Sequence, residues 1–270
     1  MKREAGLWDS GERVPVESHN TLYLELLSAY EAARNLIVEG TVLDIGCGAG
    51  YGSDRLAGPG RLVFGIDYEP AVAQAAAERY QRPGLSFACM DGVQLAVRRQ
   101  SMDLICAFQV IEHLREQARF VRDVAATLRP SGVAILSTPN ALVHRGPRNP
   151  FHLHEFAPDE LQALLAKHFA HVRLAGQARP SEIYSLEAAC RRVRAWDVLG
   201  IKRLVPRRLV SFIVAAIALW NGLTPPQRMP LSRFAISADT EHAYSLFAVC
   251  SHAPLDAARL STTGIRFDAI

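Results

Sequence analysis

Thr41-Val42-Leu43-Asp44-Ile45-Gly46-Cys47-Gly48-Ala49-Gly50-Tyr51-Gly52 is the stretch that decides how the chain is read. Apolar and β-branched residues give way to four glycines alternating with other residues, which predicts a buried strand, a tight loop and the start of a helix. Such a loop brings bare backbone up to a ligand. The dinucleotide fingerprint G-x-G-x-x-G is not met, because its third glycine falls on Tyr51 when counted from Gly46 and on Ser53 when counted from Gly48. By itself the loop implies a nucleotide-like ligand at a strand-to-helix turn.

Outward from this loop the chain alternates strands and helices. Upstream, a polar leader to about residue 20 precedes apolar residues at helical spacing from Thr21 to Arg34. Downstream, Arg61 to Asp67 reads as a second strand ending in an acid and Glu69 to Tyr80 as a helix. Leu85 to Gly92 and Met102 to Gln109 are the third and fourth strands. A helix from Arg115 to Leu128 stops at Arg129-Pro130-Ser131-Gly132, and Val133 to Thr138 is the fifth strand. Pro158 to about His168 is helical, and His171 to Gly176 and Ala243 to Cys250 are the last strands. This order predicts an α/β, doubly wound Rossmann-like sandwich. The tail from His252 lacks periodicity and is expected to attach loosely.

The chain has 270 residues, 49% hydrophobic and 21% charged, which excludes a disordered or fibrous protein and suits one domain with an elaboration. A formal charge of +3 is too small to argue for nucleic acid. Residues 177–239, however, hold ten basic and four acidic side chains around the apolar run Leu209 to Trp220. That run is too short for the ~20 residues of a membrane-spanning helix. It reads as a buried lid, as a contact between two copies in a homodimer, or as a surface for an anionic amphiphile or anionic lipid, with 190–222 touching the inner membrane face. Nucleic acid is disfavoured, because few aromatics suited to stacking accompany the basic residues. Five cysteines without C-x-x-C spacing fall mostly in or beside apolar runs, and no apolar signal core follows Met1-Lys2-Arg3-Glu4. Both features point to a reducing, cytoplasmic setting.

Asp44, Gly46, Gly48 and Gly50 reproduce in type and spacing an acidic residue followed by G-x-G-x-G. In this the chain resembles class I S-adenosylmethionine-dependent methyltransferases, over roughly Gly11 to Gly176 and again Asp239 to Cys250. Gly11-Glu12-Arg13 with Tyr30, the run Val110-Ile111-Glu112-His113-Leu114, and Ser137-Thr138-Pro139-Asn140 extend the likeness. The resemblance implies a seven-stranded sheet with its last strand antiparallel, and S-adenosyl-L-methionine as cofactor. It places Tyr30, Asp44, Gly46, Cys47, Gly48 and Gly50 at the donor loop, Asp67 on the ribose hydroxyls and Tyr68 over a face of adenine. Met90, Asp91 and Gly92 meet the adenine amino group, and Phe108, Gln109 and His113 border the methyl donor. Ala29 stands where the subgroup's motif has an arginine before the tyrosine, so no arginine contact to the cofactor's carboxylate is carried over. Read from the residues alone, Asp67 equally caps the helix before Pro70, and Asp91 before Gly92 equally marks a turn.

The corresponding domain layout is a leader and helix at 1–40, a core at 41–176 and 239–251, a helical insertion at 177–238 and a tail at 252–270. Asn149-Pro150-Phe151-His152-Leu153-His154-Glu155 follows the fifth strand, at the end of the sheet where open α/β folds bind ligands. His152 or His154 can serve there as a general base, with Glu155 orienting it. The rival readings are a metal site and a loop pinned by histidine hydrogen bonds; no metal is expected. The resemblance implies O-methyl transfer to a hydroxyl of a glycan, a sugar-containing or a lipid-linked small molecule. Methylation of a quinone or secondary-metabolite ring, and a non-catalytic cofactor-binding module, are the alternatives.

Overall fold

The structure, a computed structural model, describes residues 21–143, 149–186, 207–220, 222–225, 228–255, 260–261 and 264–265. The expected order of elements forms. It runs α1 (Thr21–Arg34), β1 (Gly40–Ile45), α2 (Tyr51–Leu56), β2 (Arg61–Asp67), α3 (Pro70–Arg79), β3 (Leu85–Cys89) and β4 (Met102–Phe108). It continues with α4 (Gln117–Thr127), β5 (Leu128–Pro139), α5 (Pro158–Leu165), β6 (His171–Gln177), α6 (Arg207–Trp220), β7 (Ile236–Ser237) and β8 (Ser245–Ser251). The leader motif Gly11-Glu12-Arg13 and residues 187–206 of the insertion lie outside the described residues.

One sheet has the strand order β3-β2-β1-β4-β5-β8-β6-β7. The strands from β3 to β5 pair in parallel, and β8 runs antiparallel to both β5 and β6. The reversal expected for the last strand is present. The sheet has eight strands rather than seven, because Ile236 and Ser237 pair with Gln177 and Gly176 at its edge. Two residues carry no periodicity that a sequence reading could detect.

Alternation along the central strands fills two layers, one on each face. Val42, Leu104, Cys106, Val133, Ile135, Phe247 and Val249 face one side with α1, while Leu43, Ile45, Ile105, Ala134, Leu136 and Ala248 face α4 and α5 on the other. A parallel sheet covered on both faces needs apolar residues at successive positions, which is why these strands are continuous apolar runs. Phe120, fully buried beneath the sheet, contributes about 1.5–3 kcal/mol by burial.

Glu25 of α1 is buried beside Arg179 just past β6, and the two form an ion pair. Arg179 also lies 3.7 Å over the Tyr244 ring, and the Gln177 side-chain amide donates to the Glu25 carbonyl at 2.9 Å. Removing one member would leave a buried charge, typically a loss of about 3–5 kcal/mol. The pair therefore fixes α1 against the far half of the sheet. Nothing in the sequence signals it, since 154 residues separate the partners.

Two expectations change. Among the described residues of the tail, Leu260 and Ile265 are buried in the α1-side layer. Isolated apolar residues can bury without repeating at any helical or strand period, so the tail looked loose in sequence. Cys89, grouped with the cysteines of apolar runs, is exposed, because β3 is an edge strand; Cys47, Cys106 and Cys250 are buried free thiols.

Candidate active site

Sequence-adjacent strands β1, β2 and β3 spread to one side of β1 and β4 lies on the other, so the loop after β1 opens at the point where the strand order reverses. That is where open α/β sheets bind ligands. Gly46, Gly48 and Gly50 all have positive φ (72°, 50° and 80°), a backbone path open to glycine and strained for side chains. Gly46 and Cys47 donate their amides to the Ile66 carbonyl at 2.8 and 2.9 Å, and Gly48 donates to Asp67 Oδ2 at 3.1 Å. No atom lies within 4 Å of where a Gly48 side chain would begin, so the loop's crown is open to a ligand.

Beneath the loop is a buried polar cluster. Tyr30 donates its hydroxyl to Asp44 at 3.1 Å, and Ser53 donates to Asp44 Oδ2 at 2.6 Å. Asp44 thus supports the loop from below, locking α1 and α2 to β1, and is fully buried. Burial pushes its carboxyl up to about 7, against the opposing pull of the Ser53 and Tyr30 hydroxyls, with a smaller push from the charge on Asp67. Cys47 is buried and its thiol is pushed up by the same desolvation. Gly52 fits beneath the Tyr30 ring: a side-chain carbon there would sit 1.9 Å from Tyr30 Cζ.

Of the two roles the sequence left open for Asp67, the structure bears on the one at the entry to α3. Asp67 Oδ1 accepts the Glu69 amide at 3.1 Å, capping the entry to α3, and Oδ2 accepts Gly48 of the loop. A carboxylate offers roughly four acceptor positions, so two backbone donors orient it without by themselves saturating it. Tyr68 beside it is exposed. The Met90 amide donates to the Asp67 carbonyl at 3.0 Å, and Asp91 closes its own turn by accepting the Val93 amide at 2.9 Å. Gly92 packs near Ile45 and Phe120. These residues line the carboxyl ends of β1, β2 and β3 in turn.

On the β4 side, Phe108 is buried between the rings of Tyr30 and Phe247, at 4.8 and 5.9 Å, and acts as core under the site. Gln109 has φ 56°, unusual for a side-chain-bearing residue, and donates its amide to the Ser137 carbonyl at 2.9 Å. The turn brings Val110 over Gly46, where an added carbon would lie 2.6 Å from Val110 Cγ2. Strain of this kind costs about 1–2 kcal/mol and clusters at ligand sites.

The histidine loop divides. His152 Nδ1 meets Glu155 Oε1 at 2.7 Å and its Nε2 meets the Asn149 amide at 3.0 Å, with both His152 and Glu155 largely buried. His154 instead turns to Glu160 in the first turn of α5, at 2.6 Å, and is more exposed. The loop is tied to the end of β4 by Leu153 and His154 amides, which donate to the Glu112 carbonyl at 2.8 and 3.3 Å. Glu112, in the Val110–Leu114 run, is fully buried and receives the Thr138 hydroxyl at 3.1 Å. Burial pushes its carboxyl up to about 8, opposed by that hydroxyl and by backbone donation, with Glu155 adding to the rise.

The residues that the loop gathers fit an adenosine-type cofactor: an open glycine crown, an acid fixed at the end of β2 and a turn at the end of β3. Comparison with known proteins agrees. A family model described as a methyltransferase domain matches residues 43–136, the span from β1 through β5. Residues 43–136 form a methyltransferase domain, and over part of its length the chain is similar to S-adenosylmethionine-dependent methyltransferases.

A probable S-adenosylmethionine-dependent methyltransferase of Mycobacterium tuberculosis is 42% identical over 128 residues, 46% of each chain. A ubiquinone biosynthesis O-methyltransferase of Coxiella burnetii is 34% identical over 102 residues, 37% of this chain and 43% of that one. The matched stretch spans less than half the length of these curated relatives. Among solved structures, a Thermotoga maritima methyltransferase described as a possible histamine N-methyltransferase superposes with TM-score 0.57, covering 92% of this chain and 100% of that one at 15% identity. The [4+2]-cyclase SpnF does so with TM-score 0.55, covering 85% and 82% at 18% identity. At such identities these structures share the fold.

The methyltransferase domain's Asp44 makes a test of pH. Its folded value near 7 lies above the ~3.9 of an unfolded aspartate, so the folded state holds the extra proton between those values. The stability that this proton confers is complete below about pH 4 and is lost as pH rises through 7. The melting temperature of wild type relative to Asp44→Asn should therefore fall from pH 4 to pH 8. A difference that stays flat would show that Asp44 does not titrate there.

Proposed function

We propose that the chain transfers a methyl group from S-adenosylmethionine to a hydroxyl of a small-molecule acceptor, a glycan, a sugar-containing or a lipid-linked compound. The observation that carries this reading is the His152–Glu155 pair, held at 2.7 Å in the loop after β5, alongside the strained Gln109 turn. The cofactor's sulfonium, when bound, supplies the methyl group to an incoming nucleophile. The chain's own work is alignment, exclusion of water and removal of the acceptor's proton. The open glycine loop and Asp67 hold the donor, with Tyr68 and the Met90–Asp91–Gly92 turn at its base end. Glu155 keeps the proton on His152 Nδ1, which leaves Nε2 to take the acceptor's proton once the Asn149 amide gives way.

The insertion supports an anionic or lipid-linked acceptor. Residues 177–239 carry a net charge of +6 against +3 for the whole chain. Ile213, Leu219 and Trp220 of α6 are exposed, Trp220 at 91%. Basic charge in the same segment of sequence as exposed apolar side chains suits an amphiphile with an acidic head. Among the described residues no helix is long and apolar enough to cross a membrane, and a peripheral contact through 190–222 is the form of membrane association we propose. A quinone ring is the second reading, favoured by the Coxiella burnetii relative's name; it asks for the same proton removal.

Methyl release from labelled donor, tried with glycan, lipid-linked and hydroxyquinone acceptors, tests the substrate class. With the active acceptor, His152→Ala should lower turnover by about 10²–10³-fold, within the usual range for a general base, while His154→Ala stays within about threefold. Wild-type turnover in His152→Ala would remove the base assignment. Cofactor binding by calorimetry without turnover on any acceptor would instead favour a non-catalytic module.

A further inference from the structure

Two neighbouring side chains, Glu112 and His113, meet the distant His152 where the end of β4 touches the histidine loop. One donor atom each of Glu112, His113 and His152 lies within 4.8 Å of the others. The sequence pairs His152 with His154 and Glu155 as the rival metal ligands; the fold sends His154 to Glu160 and brings Glu112 and His113 instead. From this arrangement we infer that Glu112, His113 and His152 form a binding site for one divalent transition-metal ion.

The first support is an orphaned atom. Glu112 Oε1 is fully buried without a hydrogen-bond partner among the described residues, while Oε2 takes the Thr138 hydroxyl. Leaving a buried carboxylate oxygen unsatisfied costs free energy that a cation would recover. Oε1 faces His113 Nε2 at 4.0 Å, too long for a hydrogen bond but convergent on a common point.

The second support is the shell behind the donors. His113 Nδ1 lies 3.0 Å from the Phe151 carbonyl, which can only accept, so that nitrogen carries the proton and Nε2 presents its lone pair toward Glu112. His152 Nδ1 lies 2.7 Å from Glu155 in the same way, so its Nε2 holds a lone pair, into which the Asn149 amide now donates. Metal-bound histidines characteristically donate their second nitrogen to a carbonyl or carboxylate, and bound carboxylates are themselves hydrogen-bonded. All three candidate ligands meet that description. Two imidazoles and one carboxylate suit zinc, iron, cobalt or nickel, whereas magnesium and calcium prefer oxygen alone. At metal–ligand lengths of about 2.0–2.2 Å, tetrahedral donors stand roughly 3.4 Å apart, so the three must close in by about an ångström and Asn149 must yield. His113 is only half-buried, which leaves a route and a coordination position on the acceptor side.

This goes beyond the proposed methyl transfer and does not rest on it. A cation on His152 Nε2 and a proton taken by the same nitrogen are mutually exclusive uses of it, so binding is best read without donor or acceptor. Full-length protein, its purification tag removed and its metals stripped by chelation, should take up one equivalent of Zn²⁺ by calorimetry. With Co²⁺ it should develop a visible absorption band that Zn²⁺ abolishes. His113→Ala, His152→Ala and Glu112→Gln should each weaken Zn²⁺ binding at least tenfold, with His154→Ala unchanged. S-adenosylhomocysteine binding and thermal unfolding identify any variant that has lost its fold; His113→Ala, at the half-exposed position, keeps the test alive if Glu112→Gln is lost. No uptake by the wild-type protein, or uptake unaffected in folded His113→Ala and His152→Ala, overturns the inference.

Discussion

Asp67→Ala should weaken binding of S-adenosylmethionine by about 100-fold or more. The side chain holds the Gly48 amide at 3.1 Å and the Glu69 amide at 3.1 Å, so its loss releases the crown of the glycine loop and the cap of α3 together. Hydrogen bonds to a charged group contribute about 1.5–3 kcal/mol each, and a tenfold change in affinity corresponds to 1.4 kcal/mol. Loss of the loop's own organisation, with the ribose contacts proposed for this carboxylate, thus predicts at least two decades. Calorimetry with S-adenosylhomocysteine is the direct measurement. Asp67→Asn, which keeps one acceptor and loses the charge, should fall between wild type and alanine. An alanine variant that binds within threefold of wild type would leave Asp67 as a helix cap and nothing more.

Gly52→Ala should lower thermal stability by roughly 10 °C, more than most single surface changes. The added carbon would overlap the Tyr30 ring, 1.9 Å from Cζ and 2.2 Å from Cε2. Tyr30 cannot swing aside cheaply, because it packs edge-on against Phe108 at 4.8 Å and donates to buried Asp44. Overpacking costs about 1–3 kcal/mol and the loss of a buried hydrogen bond about 0.5–1.5 kcal/mol. For a chain of this size each kcal/mol moves the melting temperature by about 2–4 °C. The mechanism has a signature in coupling. In a Tyr30→Ala background, which is itself destabilised, Gly52→Ala should cost far less, since the atom it strikes is gone. Equal costs in the two backgrounds would place the effect elsewhere.

Much of the glycine loop's geometry was legible. Asp44, Gly46, Gly48, Gly50 and Asp67 lie within 24 consecutive positions, and local backbone geometry connects them: strand, left-handed turn, helix and next strand. The roles of single residues were less so. Phe108 was expected beside the methyl donor; the structure packs it into the core between the Tyr30 and Phe247 rings, because strand alternation sends position 108 to the α1-side layer with Leu104 and Cys106. Gln109, one residue on, leaves that alternation through its positive φ.

The sequence by itself determined the doubly wound α/β plan and the place of the donor loop. It also determined the chemistry of the strand ends, since hydrophobic period and turn chemistry are local properties of the chain. Tertiary structure alone decided which distant groups share one environment. It joined Glu25 to Arg179 and Gly52 to the Tyr30 ring, and it added the two-residue β7. It separated His152 from His154 and set His152 beside Glu112 and His113. Those pairings depend on the crossing of elements far apart in sequence, and desolvation of a carboxyl such as Glu112 exists only once the elements around it have closed.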